Sequence, residues 1–128
     1  MERRRRIKFP VMVAGAKNMN GHIYTKESCN SVMEDINHKG VLIFNDLEPV
    51  GAVVKSYFIG DVLFAEGNLL KKYIEKYTRV TSTGYGDLGN NGLVKSFSIR
   101  NFQLTPNSAF ENLVDCSLQY IYKRNIKI

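Results

Sequence analysis

The chain has 128 residues, 44% hydrophobic and 23% charged, a composition that excludes intrinsic disorder and suits one globular domain around a single core. Lys and Arg number 18 against 12 Asp and Glu, a formal net charge of +6, so the expected partner is acidic: nucleic acid, or an acidic protein surface in an assembly. No apolar run approaches the roughly 20 residues that cross a bilayer, and the N-terminus lacks the apolar stretch of a signal peptide, so no membrane partner is expected and synthesis in a cytoplasm is.

In chain order, Arg3, Arg4, Arg5 and Arg6 read as a basic arm over residues 1–6. Residues 7–14 alternate as a strand with Pro10 near its start or on an edge. Asn20-Gly21 marks a turn, since both residues accept positive φ. Thr25 is placed to cap a helix running to about His38, with Val32, Met33 and Ile36 inward and Gly40 just past the end. Residues 41–44, 50–58 and 62–68 predict strands, the last two joined as a hairpin through Gly60-Asp61. Leu69, Leu70, Tyr73, Ile74 and Tyr77 recur at helical spacing and predict a short helix leading into a strand at Val80.

Another long strand is expected over residues 93–104. Beyond Pro106, Phe110, Leu113, Val114 and Cys116 suit a helix, whereas 118–122 suit a strand. Lys123, Arg124 and Lys127 make a basic tail over 123–128, leaving one domain over 7–122. The expected class is α+β, mostly β, with an antiparallel or barrel-like sheet and two or three short helices. Cys29 and Cys116 have neither metal-ligand spacing nor a secretory context, so free thiols, no disulfide, no metal and no cofactor are expected. No helix-turn-helix, RNP aromatic set or zinc finger is readable, which argues against sequence-specific nucleic-acid recognition.

Residues 79–86 carry the one candidate for chemistry. Thr81, Ser82 and Thr83 end a β-branched run and precede Gly84 and Gly86. A hydroxyl in that setting can be held on a tight strand-to-loop turn, with positive φ at the glycines and backbone N–H groups facing its oxygen, as a nucleophile is presented. The same residues also make an ordinary polar turn between two strands.

Three segments, in order, resemble the prohead core proteases of tailed phages. Asn18-Met19-Asn20-Gly21-His22-Ile23-Tyr24-Thr25-Lys26-Glu27 is similar to their N-x-N-G-R-x-Y-P-x-E stretch. Asn45-Asp46-Leu47-Glu48-Pro49-Val50-Gly51-Ala52-Val53 resembles the segment in which a histidine-proline pair shortly precedes P-V-G-x-V. Val80-Thr81-Ser82-Thr83-Gly84-Tyr85-Gly86, followed by Gly92-Leu93-Val94-Lys95-Ser96-Phe97, resembles the V-S-S-R-G-x-G serine turn and the strand after it.

The resemblance implies a compact, mostly β fold shared with herpesvirus assemblins, in which a serine attacks a peptide bond and a histidine takes its proton. The matching serine is Ser82. The matching histidine position falls at Asn45 or Asp46, neither of which serves as a general base near neutrality as histidine does. Thr83 stands where the pattern has an arginine, and Arg79 where it has glycine. His22 is a candidate substitute base, whereas His38, near a helix C-terminus, is expected to point to solvent.

The expected function is therefore a non-catalytic phage virion structural protein, a capsid-associated or auxiliary head component present in multiple copies. Its partners would be the major capsid or other head proteins, with the basic termini also able to meet packaged DNA. The alternatives are a divergent serine-type prohead maturation protease acting through Ser82, and an unrelated small binding module.

Overall fold

A computed structural model describes residues 3–75 and 78–121. Its elements are β1 (Arg4–Val13), β2 (Ile23–Tyr24), α1 (Lys26–Lys39), β3 (Val41–Asn45), β4 (Glu48–Ile59), β5 (Val62–Leu70), β6 (Arg79–Leu88), β7 (Leu93–Thr105) and β8 (Gln119–Tyr120), with 3₁₀ turns at Lys71–Tyr73 and Asn90–Gly92. The fold is α+β and mostly β, as expected. Its single sheet runs β2-β7-β3-β4-β5-β1-β8, with β6 also paired to β7. The sheet is mixed: β2 and β3 lie parallel to β7, and the other pairings are antiparallel.

Local chemistry accounts for α1. Thr25 Oγ1 accepts from the Ser28 N–H at 3.1 Å, and Gly40, at φ 72°, closes the helix by donating its N–H to the Ile36 carbonyl. Ser28, Cys29, Val32 and Ile36 are buried, one helical stripe turned toward the sheet. Asn37 extends that docking by donating to the Ser56 carbonyl and accepting from the Ser56 N–H, which ties α1 to β4. The β4–β5 hairpin turns at Gly60, with Ile59 opposite Val62. Along β5, Leu63, Ala65, Gly67 and Leu69 are buried while the residues between them are partly exposed, the period of two that places one face on a core.

The sheet curls until β1 touches β6, and the core fills the inside of the curl. There the rings of Phe9 and Phe102 meet edge-to-face, with centroids 5.4 Å apart and planes at 86°. Among the described residues, no helix is long and apolar enough to cross a membrane.

Several expectations are corrected. Arg4, Arg5 and Arg6 do not form an arm: they open β1 and pair with Leu70, Leu69 and Asn68 of β5. Leu69 and Leu70 end that strand instead of starting a helix, and a single 3₁₀ turn follows, with Tyr77 outside the described residues. Two ladders claim Leu69, which pairs with Arg5 on one side and Gly51 on the other, and sheet pairing overrides a helical spacing of five residues. After Pro106 the described chain makes turns over 109–113 and then the short β8, where Tyr120 and Gln119 face Ile7 and Lys8. The basic tail at Lys123, Arg124 and Lys127 lies outside the described residues.

Candidate functional site

Ser82 is not on a turn. It lies within the unbroken β6, directly opposite Phe102 of β7, flanked by the pairs Thr81–Gln103 and Thr83–Asn101. Gly84 and Gly86 do not adopt positive φ. Gly84 is needed for closeness instead, since a Cβ there would stand 2.1 Å from the Ser98 carbonyl oxygen. A bulge follows Thr83, because Gly84 pairs with Ile99 and leaves Arg100 as the extra residue. Thr83, the position matched to the family's arginine, donates its hydroxyl to Asn101 Oδ1 at 2.5 Å. Arg79, at the start of the strand, places Nε 2.5 Å from Glu111 Oε1 in an ion pair.

The two histidines of the sequence are both described, and neither approaches Ser82. His22 sits in the turn before β2, its backbone N–H donated to Asn18 Oδ1 at 3.0 Å. The next residue, Ile23, pairs with Leu93 at the start of β7, whereas Ser82 pairs with Phe102. That offset along β7 corresponds to about 30 Å at ~3.3 Å per residue. His38 is exposed in the last turn of α1, in a groove it shares with Glu34, Asp35, Asn37 and Lys39.

Asn45 ends β3 and Asp46 follows it. Asn45 pairs with Glu48, and Asp46 occupies the exposed tight turn at φ 55°. Ile43 and Ser82 flank Phe102 from opposite sides, so the backbones of β3 and β6 stand two strand spacings apart, about 10 Å. Asn45, two residues farther along, lines a groove of about 310 Å³ with Tyr73, Glu75, Thr78, Leu104, Thr105 and Pro106, and Ser82 is not part of its wall. Ser82, Asn45 and the candidate base His22 thus lie in three separate parts of the fold, and His38, exposed as expected, lies in a fourth.

Other chemistry is equally restrained. Among the described residues, no group of three His, Cys, Asp or Glu side chains is placed to hold a metal ion. Cys29 and Cys116 are free and buried; burial pushes the Cys29 thiol up to about 11 and raises that of Cys116 as well, which keeps both thiols protonated and unreactive at neutral pH.

What the strand register assembles instead is a surface. Arg4, Arg6 and Lys8 alternate along one face of β1, Phe64, Glu66 and Asn68 lie on the same face of β5, and Lys55 and Tyr57 continue it on β4. Reading 79–86 for a nucleophile overlooks this grouping. Its signal was a shared period of two in three separate segments, which only pairing could bring together. Comparison of the chain with protein-family models, with characterised proteins and with solved structures finds no significant match.

Proposed function

We propose that the protein is a non-catalytic structural component of a phage virion, a capsid-associated or auxiliary head protein that reuses a prohead-protease-like fold. One observation carries the non-catalytic part: Ser82 is locked opposite Phe102 in a regular ladder, with His22 and His38 both elsewhere in the fold. A serine hydroxyl without a base to take its proton is a weak nucleophile, and removing the base of a serine–histidine pair costs several orders of magnitude in rate. The virion part rests on the resemblance of three sequence segments to the prohead proteases. Exposed apolar side chains at Leu47, Tyr85 and Leu88 provide contact points for neighbouring head proteins.

The test has two parts. In purified phage particles the protein is expected to remain as a stoichiometric band, whereas a maturation protease is degraded or lost as heads mature. Ser82→Ala is expected to leave the processing of head-protein precursors unchanged. A block in precursor cleavage by that substitution would replace this reading with the protease.

A further inference from the structure

We propose that the outer face of β1, β5 and β4 is a binding surface for single-stranded nucleic acid, recognised without regard to sequence. The inference stands on the face alone and uses neither Ser82 nor a place in a virion. α1 does not cover this face: it docks on the opposite one, where Ser56 Oγ donates to the Met33 carbonyl and Asn37 bonds the Ser56 backbone.

Two features of the face point to this ligand. The first is charge. Lys8 and Lys55 lie directly across from Glu66 on the two neighbouring strands, Arg6 engages its carboxylate at 3.6 Å, and Arg4 Nη1 donates to Asn68 Oδ1 at 2.8 Å. Arg4, Arg6 and Lys8 repeat every second residue of one strand, about 7 Å apart, a cationic row able to follow successive phosphates of an extended strand. A groove of about 270 Å³ between Arg6 and Lys55, floored by Gly67, adds relief to the face.

The second feature is aromatic. The rings of Tyr57 and Phe64, partners across β4 and β5, lie 6.3 Å apart with planes at 24°, and both are partly exposed. Lys8 Nζ rests 4.7 Å from the Phe64 centroid and 5.6 Å from that of Tyr57, while Lys55 Nζ is 5.6 Å from Tyr57. Such contacts are weak on an exposed surface, so a phosphate can draw the ammonium groups off the rings and a base can stack in their place. Cations that track a backbone beside rings that take bases are the combination by which single strands are held without base-edge readout. An acidic peptide would satisfy the cations and leave the rings unused.

The experiment is fluorescence anisotropy of the purified full-length protein with a labelled oligothymidylate of about 20 nucleotides, titrated across salt concentrations. Saturable binding that weakens with salt is expected. Arg4→Ala with Arg6→Ala should lower the slope of log K against log salt by about 1.4, about 0.7 for each phosphate no longer neutralised. Tyr57→Ala should weaken binding about tenfold, and Tyr57→Phe should restore it. Lys55→Glu, at an exposed position, should also weaken it about tenfold, which keeps the proposal testable if Tyr57→Ala lowers the melting temperature. Absence of saturable binding at low salt would overturn the proposal. So would competition by polyglutamate as effective as that by unlabelled oligothymidylate, because the face would then be a generic site for acidic polymers.

Discussion

Phe102→Ala is expected to destabilise the protein by about 4 kcal/mol. Phe102 is fully buried, and its strand position is held from both sides, by Ser82 on β6 and by Ile43 on β3. Its ring meets Phe9 edge-to-face in the middle of the curl, and truncation would remove that ring pair and leave a void that three paired strands cannot collapse into. Urea unfolding with an unchanged slope and a midpoint shift corresponding to the loss would confirm the packing. A loss under about 1.5 kcal/mol would mean that Phe102 is not central to the core.

Gly67→Ala should cost nearly as much, about 3 kcal/mol, by the opposite mechanism of overpacking. β5 is a central strand, paired with β1 and β4 along most of its length. At Gly67 an added Cβ would stand 2.0 Å from the Ala52 carbonyl oxygen and 2.8 Å from the Val53 Cα, both backbone atoms that no rotamer change can move. The bulge of β4 lies at the same place, between Val53 and Lys55, and uses the room that the glycine leaves. Thermal unfolding gives the direct check. A melting temperature within about 3 °C of the parent would show that the two strands are farther apart than described.

The contrast between these two residues indicates which parts of the molecule were legible in the sequence. Elements governed by local chemistry were readable: Thr25 and Gly40 bracket α1 as their capping chemistry requires, and Gly60 turns the β4–β5 hairpin. The strands over 7–14, 41–44, 50–58, 62–68 and 93–104 were readable too, but not which of them pair or where pairing overrides another pattern. Leu69 and Leu70 carry the same spacing as a helix stripe, and only their partners across two ladders make them a strand. The arginines at 4–6 looked like an arm because charge suggests solvent. An arginine on the outer side of a strand satisfies that expectation with its head group exposed while its backbone is paired, and Arg6 keeps its side chain 59% exposed in this way.

The candidate site divides along the same line. A hydroxyl cluster followed by two glycines has the composition of a nucleophile turn, yet a glycine serves equally where two backbones approach. The 2.1 Å separation from the Ser98 carbonyl oxygen that a Cβ at Gly84 would have explains that residue without any turn. That no histidine stands where the resemblance would place the base was legible, because Asn45 and Asp46 occupy that position in the sequence. That His22 cannot replace it depended on the register of β2 and β6 along β7, which no local pattern carries.

The most direct measurement of the non-catalytic reading is the intact mass of the purified protein after exposure to an organofluorophosphonate, a reagent that phosphonylates serines activated by a base. The account predicts an unchanged mass at neutral pH, since the Ser82 hydroxyl has neither histidine nor a strained turn to raise its reactivity. A stoichiometric mass increase that maps to Ser82 and disappears in Ser82→Ala would contradict it and make the protein a serine enzyme.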